Sequence, residues 1–307
     1  MKKVRHFLSV NDLASGEIRA IFKTATEIKR RPALFHDSLR GKTIGLIFEK
    51  PSTRTWVSFQ VGMTQLGGAS IYLGPEDISL GKREAIKDVA RALSRYLDAM
   101  AIRTYSHERI AEFAEFSGRP VINALSDLSH PCQALTDFFT IEERLGDLGG
   151  RKVTYVGDGN NVLHSLLFSA AKLGACFVYA TPPAHKPKPD VLREVKALAA
   201  KSGATITYAS DPREAVDRAD VLYTDVWISM GQEKEREEKL KRFEGFQVNR
   251  RLLALAKPRA LVMHCLPARR GEEITDEVLE SPQSIVFDQA ENRLHVQKAI
   301  LLKLIEH

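Results

Sequence analysis

The chain has 307 residues, of which 44% are hydrophobic and 27% charged, and its formal net charge is +6. This length suggests two domains or one large α/β unit, and the composition excludes the disordered, fibrous and disulfide-rich classes. Because the basic residues are dispersed among acidic ones, no basic face for nucleic acid is visible, and we expect no nucleic-acid partner.

The three cysteines, Cys132, Cys176 and Cys265, lack the spacing of disulfide pairs or of metal ligands. Their odd number indicates a reducing compartment. The first residues carry charge but no apolar signal-peptide core, and no apolar run approaches the length of a membrane span. We therefore expect a cytoplasmic protein with no membrane partner.

The first half of the chain alternates between short apolar runs and apolar residues at helical spacing. The predicted elements are a helix whose first part is 13–22, a strand at 43–48, a helix at 85–97, strands at 99–102 and 120–124, and a helix at 133–144. A glycine-rich turn at 146–150 is the clearest break between the two halves.

The second half continues the alternation of strand and helix. The predicted strands are 153–156, 176–180, 205–208, 221–224, 261–264 and 285–287, and the predicted helices are 162–173, 190–200 and a closing helix at 292–305. The charged run 232–242 indicates a solvated helix face or a mobile loop. The alternation predicts an α/β fold with parallel sheets covered by helices on both faces.

Polar residues directly follow five of the predicted strands. In doubly wound sheets, ligands bind beyond the carboxyl ends of the strands. We therefore expect one cleft between the two halves of the chain. The segments concerned are 52–55, Arg103, 157–161, Asp225 with 229–231, and 264–267.

The segment 52–55 stands where the first strand ends and a helix begins. The first amides of a helix lack internal partners and carry partial positive charge. The hydroxyls of Ser52, Thr53 and Thr55, together with the guanidinium of Arg54, would complete a phosphate-sized anion site there. The alternative is an ordinary helix cap with Arg54 in solvent.

Two further segments each allow more than one interpretation. His130 and Gln133 could bind one carbonyl oxygen from two directions, or they could be a helix cap and a surface residue. The turn 157–161 resembles half of a dinucleotide-binding fingerprint, but Val162 replaces the third glycine. Asn161 could instead bind a substrate carboxylate, or the segment could be a tight turn before a helix.

Cys265 follows one buried strand, as Asp225 follows another. A thiol beside a carboxylate could take a proton from an attacking amine, although a buried cysteine can equally be a small hydrophobe. Covalent catalysis would need a base, and His264 points to the opposite face if the strand continues. Arg293 is either a surface ion-pair partner or a second cation for a phosphate-bearing ligand.

Together, and in order along the whole chain, these segments resemble the aspartate/ornithine carbamoyltransferase family. The matching segments are Ser52-Thr53-Arg54-Thr55, Arg103, His130-Pro131-Cys132-Gln133, Asp225 with Ser229-Met230-Gly231, and His264-Cys265-Leu266-Pro267. The first and third are shared across carbamoyltransferases. The Ser-Met-Gly and His-Cys-Leu-Pro segments point to the ornithine branch of the family.

The resemblance implies an α/β fold with two doubly wound parallel-sheet domains joined by bridging helices, at 133–144 and at the C-terminus. Residues 1–133, with 291–307, would form a carbamoyl-phosphate-binding domain, and residues 134–290 an ornithine-binding domain. The family assembles as a homotrimer or a multiple of trimers, and it needs no metal and no organic cofactor.

The resemblance also implies a role for each matching residue. The carbamoyl-phosphate site would comprise Ser52, Thr53, Arg54, Thr55, Ser79, Arg103, His130, Pro131, Cys132, Gln133, Cys265, Leu266 and Arg293. The ornithine site would comprise Asn161, Asp225, Ser229 and Met230. The groups expected to act in catalysis are Arg103, His130, Gln133, Asp225 and Cys265.

The implied reaction transfers the carbamoyl group of carbamoyl phosphate to the side-chain amine of L-ornithine, giving L-citrulline and phosphate in arginine metabolism. Asp225 and Cys265 would promote loss of the amine proton. Arg103, His130 and the hydroxyl of Thr55 would stabilise the tetrahedral oxyanion. The Ser-Met-Gly segment would close as a lid over ornithine.

The chain departs from the family pattern at Trp56, where arginine is usual, at Gln60, where glutamate is usual, and at Ser79. Position 79 usually carries a glutamine or histidine that reaches a neighbouring subunit's site, and whether Ser79 or Lys82 takes that role is open. The alternative functions are a carbamoyltransferase for putrescine, N-acylornithine or another amine, an NAD-dependent dehydrogenase, and a catalytically silent scaffold.

Overall fold

The computed structural model describes residues 4–78, 80–81, 84–228 and 236–305. The chain divides into two units, one formed by Met1–Phe139 with Glu291–His307 and the other by Thr140–Ala290. Helices α5 (Pro131–Leu145) and α12 (Val286–Ile305) each contain one of the unit boundaries. In the described part of the chain, no helix combines the length and the apolar character that a membrane crossing requires.

The first unit contains a four-stranded parallel sheet with the strand order β2-β1-β3-β4. Strands β1, β3 and β4 are apolar and almost wholly buried, as expected for a parallel sheet covered by helices. The strands are β1 (Thr43–Phe48), β2 (Ala69–Leu73), β3 (Ala99–Arg103) and β4 (Val121–Leu125). The helices are α1 (Ser15–Arg30), α2 (Thr53–Gln65), α3 (Ile86–Leu93) and α4 (His107–Phe116), with short 3-10 helices at Val10–Asp12 and Pro32–Phe35.

The second unit contains a five-stranded parallel sheet with the strand order β7-β6-β5-β8-β9. The strands are β5 (Lys152–Val156), β6 (Cys176–Ala180), β7 (Thr205–Ala209), β8 (Val221–Thr224) and β9 (Leu261–His264). The helices are α6 (Asn161–Leu173), α7 (Pro189–Ser202), α8 (Pro212–Val216), α9 (Arg236–Arg242), α10 (Arg250–Leu253) and α11 (Asp276–Leu279), with a 3-10 helix at Pro183–His185.

Two parallel sheets with flanking helices confirm the predicted α/β fold. The strand predicted at 285–287 is wrong, because α12 begins at Val286. Pairing with β9 reaches only Ser284, and the amide of Gln289 already donates to the carbonyl of Ile285 at 2.9 Å, which starts the helix. The side chain of Phe287 is exposed, so that apolar run is one turn of a helix and not a buried strand.

Candidate active site

Three strands of the first unit end beside one another. Phe48 of β1 lies opposite Arg103 of β3, and Arg103 lies opposite Leu125 of β4. The amide of Glu49 donates to the carbonyl of Arg103 at 2.9 Å, which continues the pairing one residue past β1. The predicted segments that follow β1 and β4 therefore start from the same edge of the sheet as Arg103.

Ser52 caps helix α2 and orders its first turn. Its Oγ accepts from the amide of Thr55 at 3.4 Å and donates to Thr55 Oγ1 at 3.0 Å. Arg293 Nη2 donates to the same Thr55 oxygen at 2.5 Å, and both side chains are buried. Since Thr55 Oγ1 accepts twice, its hydroxyl hydrogen is the donor that it retains.

The surface ion-pair interpretation of Arg293 is wrong, because this residue is only 3% exposed. It lies on α12 beside the cap of α2, so the last helix adds a guanidinium to the first helical turn after β1. Thr53 is exposed and Arg54 is half-buried. The serine is thus a helix cap, as one interpretation held, and the cap also has a buried cation next to it.

His130 is buried at the start of α5. Burial lowers the pKa of its imidazole well below the usual value, and the positive charges of Arg293 and Arg103 lower it further. The imidazole is therefore neutral at pH 7, and one ring nitrogen is a donor while the other is an acceptor.

Gln133 lies on the first turn of α5 and is oriented by a neighbour on the same helix. Its Nε2 donates to Asp137 Oδ1 at 2.7 Å, whereas its Oε1 is buried and accepts no hydrogen bond from the described residues. The oxygen is thus the group that Gln133 offers to a ligand. Burial raises the pKa of the adjacent Cys132 thiol to about 12, so this cysteine stays protonated.

Glu49 supports the loop after β1, a role that the sequence did not reveal. Its carboxylate lies 3.0 and 3.2 Å from Arg109 Nη1 and also accepts the hydroxyl hydrogen of Thr104. The ammonium of Lys50 lies 4.2 Å from the centre of the Tyr105 ring. Because the partners lie more than fifty positions away, no local pattern marks these contacts.

In the second unit, strands β5, β8 and β9 end at one edge. Tyr155 of β5 lies opposite Tyr223 of β8, and Thr224 lies opposite His264 of β9. Asp225 and Cys265 directly follow the last pair. Cys265 Sγ lies 3.0 Å from Asp225 Oδ1, so the thiol and carboxylate that the sequence placed at two strand ends are in contact.

Asp225 is a buried carboxylate, only 5% exposed, with neutral hydrogen-bond donors on both oxygens. Asn160 Nδ2 donates to Oδ2 at 2.7 Å, and the Cys265 thiol donates to Oδ1. No lysine or arginine of the described residues lies within ion-pair distance of it. Burial raises the pKa of Asp225, which indicates a carboxylate that would gain from an incoming cation.

The amide in contact with Asp225 belongs to Asn160, the residue before Asn161, whose predicted contact with ornithine stays a prediction. Asn160 also caps α6, because its Oδ1 accepts from the amides of Val162 and Leu163 at 3.0 and 3.1 Å. Asn161 is half-buried in the first helical position. A preference for asparagine at the cap was the one signal in the sequence that could have identified Asn160.

His264 and Glu273 form a fully buried pair below Cys265. His264 Nε2 lies 3.0 Å from Glu273 Oε1, and its Nδ1 accepts from the amide of Leu266 at 2.8 Å. Ligand atoms of Asp225, His264 and Cys265 lie within 4.8 Å of one another, which is a spacing that could suit a metal. Both imidazole nitrogens are already engaged in hydrogen bonds, however, so the histidine holds the backbone after β9 in place.

The backbone structure of the turn 157–161 explains why residues 157 and 159 are both glycine. Gly157 adopts φ +153°, and a Cβ on Gly159 would lie 2.3 Å from the carbonyl oxygen of His185. The amide of Gly159 donates to that carbonyl at 2.9 Å. The glycines therefore allow close packing of the backbone, and this accounts for the partial match to a dinucleotide-binding fingerprint.

Asp158, in the same turn, forms a buried ion pair with Lys239 of α9, with Oδ2 and Nζ 2.7 Å apart. His185 Nδ1 lies 3.3 Å from the other carboxylate oxygen. Residues 232–235 of the charged run 232–242 lie outside the described residues. In the rest of the run most side chains are exposed, as expected for a solvated helix face, but Lys239 is buried. Its partner lies 81 positions earlier in the chain, out of reach of any local pattern.

The remaining predicted positions are placed as follows. Pro131 is buried as the first residue of α5, and Leu266 is half-buried with φ +58°. Ser79, Ser229 and Met230, and with them the expected lid, lie outside the described residues, as does Lys82.

Two family models match the chain and together cover most of it. Residues 5–143 match the carbamoyl-P binding domain of aspartate/ornithine carbamoyltransferase, and residues 149–304 match the Asp/Orn binding domain of the same family.

Curated relatives are similar over nearly the full length. The chain is 53% identical to ornithine carbamoyltransferase of Methanoculleus marisnigri, covering 99% of this chain and 97% of that protein. It is 52% identical to a Pyrococcus furiosus protein named ornithine carbamoyltransferase, anabolic, covering 97% and 95%.

Solved structures show the same similarity. Ornithine carbamoyltransferase from Pyrococcus furiosus superposes with a TM-score of 0.94 at 52% identity, covering 97% of this chain and 96% of that one. The enzyme of the same name from Thermus thermophilus superposes with a TM-score of 0.88 at 41% identity, covering 98% and 99%.

Proposed function

The chain belongs to the aspartate/ornithine carbamoyltransferase family, and we propose that it transfers the carbamoyl group of carbamoyl phosphate to the side-chain amine of L-ornithine, giving L-citrulline and phosphate. The observation that carries the choice of a cationic acceptor is Asp225, a buried carboxylate with neutral donors and no cation among the described residues. The names of the relatives support ornithine as that acceptor, and one named anabolic supports a place in arginine biosynthesis.

The first unit supplies the groups for the carbamoyl donor. The free amides of the first turn of α2, the hydroxyls of Thr53 and Thr55, and the guanidiniums of Arg54 and Arg293 offset the charge of the phosphate, while Ser52 holds Thr55 in place. Hydrogen bonds from Ser52 and Arg293 to Thr55 fix part of this site before the ligand arrives.

Arg103, His130 and Gln133 hold the carbamoyl group. A neutral imidazole and a guanidinium donate to the carbonyl oxygen, which gains negative charge as the amine attacks. Gln133 leaves its buried oxygen available as an acceptor, and this suits the NH₂ of the carbamoyl group, which is a donor. Removing one donor to the oxyanion costs about 3 kcal/mol of barrier.

Asp225 acts on the amine, and the Cys265 thiol holds the Asp225 carboxylate in place by a hydrogen bond. The ammonium of ornithine must lose a proton before its nitrogen can attack, and a carboxylate with a raised pKa is a better acceptor than an ordinary aspartate. The nitrogen then bonds to the carbonyl carbon, the bond from that carbon to the phosphate oxygen breaks, and phosphate leaves with the electron pair. The second proton lost by the nitrogen goes to the departing phosphate, which becomes hydrogen phosphate.

Several finer assignments belong to this proposal. Residues 1–133 with 291–307 would bind carbamoyl phosphate, and residues 134–290 would bind ornithine, which the descriptions of the two family models support. The roles of Ser79, Pro131, Cys132, Asn161, Ser229, Met230 and Leu266 stay predictions. The three cysteines are free thiols, which supports a reducing compartment such as the cytoplasm.

We also propose a homotrimer, supported by an uncovered apolar patch on the first unit. Strand β2 is the edge of its sheet, and Ile71 and Tyr72 on it are exposed. Trp56 and Val57 of α2 are exposed beside them, with the Trp56 and Tyr72 rings 4.8 Å apart. Changing Val57 to Lys should shift the sedimentation coefficient from trimer to monomer, whereas Glu76→Lys, a charge change in the same unit, should leave it unaltered.

The decisive experiment is a product assay with a panel of amines. The protein is expected to form citrulline from carbamoyl phosphate and ornithine, and to act far more slowly on putrescine and N-acetylornithine. Equal or faster turnover of putrescine would favour the alternative amine, and no turnover of any amine would favour a silent scaffold. NAD binding is not expected, because the glycines of the turn 157–161 serve backbone packing.

A further inference from the structure

A cavity of about 440 Å³ lies in the first unit among residues that take no part in the proposed reaction. It is formed by the end of α1, the 3-10 helix Pro32–Phe35, the end of α2 and one face of α12. Its apolar lining consists of Ile28, Pro32, Ala33, Phe35, Leu66 and Leu294. The polar lining consists of Lys29, His36, Gln65, His295 and Lys298, with no carboxylate among the described lining residues.

Lys298 is the feature of this cavity that calls for a ligand. The residue is 2% exposed, and its stem packs against Gly62 of α2, where a Cβ would meet Lys298 Cγ at 3.3 Å. The ammonium donates to Gln65 Oε1 at 2.8 Å, and this neutral amide does not balance its charge. Within residues 4–78, 80–81, 84–228 and 236–305, no carboxylate lies within ion-pair distance of Nζ.

An ammonium in this position is costly to the folded protein. A buried charge is normally paired, and one without a counter-ion lowers its own pKa, as burial does for Lys298. Asp220 in the second unit shows the ordinary arrangement, since its buried carboxylate lies 2.8 Å from Lys257. The charge of Lys298 has no such partner within the chain that the structure describes.

The other basic groups of the lining have partial partners. Lys29 Nζ lies 2.9 Å from Asn292 Oδ1 and 3.5 Å from Glu291 Oε1, and His295 Nε2 lies 3.4 Å from the same Glu291 oxygen. One carboxylate on the rim thus serves two basic groups. Burial and the charge of Lys298 lower the pKa of His295, so the histidine is neutral and Lys298 remains the dominant uncompensated charge.

We propose that this cavity binds a small organic carboxylate, with Lys298 as the counter-ion of its head group and the apolar lining around its hydrocarbon part. The volume falls in the range of small-molecule sites, which runs from about 300 to 1,000 Å³. A carboxylate with a short hydrocarbon chain would contact the basic residues with its head group and the apolar residues with its chain. A bare phosphate ion would gain nothing from the six apolar residues, which would only remove water from it.

The test uses hexanoate as the probe and the full chain as the protein. Calorimetric titration is carried out with saturating inorganic phosphate and ornithine, so that the proposed substrate sites are occupied. One hexanoate is expected to bind per chain. Lys298→Met should weaken binding by about tenfold or more, since it removes the counter-ion, and Lys298→Arg should retain it.

Two further variants separate the cavity from general effects of substitution. Ala33→Phe fills the cavity without changing its charge and should abolish binding. Lys303→Met removes a lysine from the same helix outside the lining, where Nζ pairs with Glu17 at 3.0 Å, and should leave binding unchanged. Both variants test the site even if Lys298→Met is poorly folded.

The proposal is overturned if hexanoate does not bind, if it binds Lys298→Met or Ala33→Phe as tightly as the unaltered chain, or if phosphate and ornithine displace it. Citrulline formation is measured separately on the same preparations. If the protein forms citrulline but does not bind hexanoate, this inference is wrong and the proposed function stands.

Discussion

Arg293 donates a hydrogen bond of 2.5 Å to the hydroxyl of Thr55, although 238 positions separate the two residues. Thr55 belongs to the first turn of α2, and Arg293 belongs to α12. Both are buried, so the contact is a charge-assisted hydrogen bond shielded from water. The cap that is proposed to hold phosphate therefore owes one of its cations to the last helix.

Changing Arg293 to Gln should raise the KM for carbamoyl phosphate and lower kcat/KM by about 10- to 100-fold, the usual cost of losing a hydrogen bond to a charged group. The KM for ornithine should change little. Thr55→Val should have a similar effect, and the double variant should lose less than the product of the two, because both remove the same contact. Arg91→Gln, at an exposed ion pair in the same unit, is the control. Independent, multiplicative losses would show that the contact has no role in the site.

The neutral state of His130 predicts how stability changes with pH. The folded protein holds the pKa of His130 well below 6.5, so below pH 6.5 the unfolded chain takes up a proton that the folded chain refuses. This group therefore lowers the free energy of unfolding as pH falls. Between pH 6.5 and 5.5 its share of the loss is about 1 kcal/mol.

Urea unfolding of His130→Gln measures this contribution. The variant should lose about 1 kcal/mol less than the unaltered chain between those two pH values. An identical pH slope for His130→Gln and the unaltered chain would mean that His130 titrates normally.

Single substitutions should distinguish the role of Asp225 from the role of Cys265. Asp225→Asn removes the proton acceptor and should lower kcat by about 100- to 10,000-fold, as for other general bases. Cys265→Ser keeps a donor to the carboxylate and should cost far less, because the thiol serves to hold Asp225 and not to attack the substrate. Steady-state kinetics with ornithine decide between them. A larger loss of kcat in Cys265→Ser than in Asp225→Asn would contradict this assignment and favour covalent catalysis by the cysteine.

The buried pair of Lys239 and Asp158 should be far more costly to break than an exposed one. Lys239→Met leaves a buried carboxylate without its cation and should lower the free energy of unfolding by about 3 to 5 kcal/mol. Adding Asp158→Asn to the Lys239→Met variant should restore part of the lost free energy of unfolding, because the buried carboxylate is then neutral. Arg250→Met, at a pair with Glu277 in which both side chains are exposed, should cost about 1 kcal/mol or less. Equal losses at the two pairs, measured by urea unfolding, would contradict the prediction.

Patterns within a short window of sequence predicted most of the fold. Strands β1 and β3 are mostly apolar because both faces of a parallel sheet are covered, and such runs are visible in the sequence. Strand β2 was missed because its residues are mostly exposed at the sheet edge and its sequence is not uniformly apolar. The prediction of a strand at 285–287 was wrong because three successive apolar residues also occur in a helix that is buried on one side.

In the site, the sequence identified residues at strand ends but not the contacts that hold them. Asp225 and Cys265 were both placed correctly at strand ends, and they are in contact. Glu273, which orients His264, and Lys239, which pairs with Asp158, carry no local signal, because their partners are set by the folded chain and not by spacing. Asn160 caps α6 and contacts Asp225, which the sequence did not indicate, and the proposed contact of Asn161 with ornithine stays a prediction.

The position of Arg293 also matters during synthesis. A ribosome adds position 293 long after it has made the Ser52 loop, so a nascent chain that has not reached position 293 has the cap without its buried guanidinium. Because a ligand stabilises only the state that binds it, carbamoyl phosphate should protect chains that contain Arg293 from proteases but not chains that stop before it. The substrate would in this way distinguish chains with the whole cap from chains interrupted earlier.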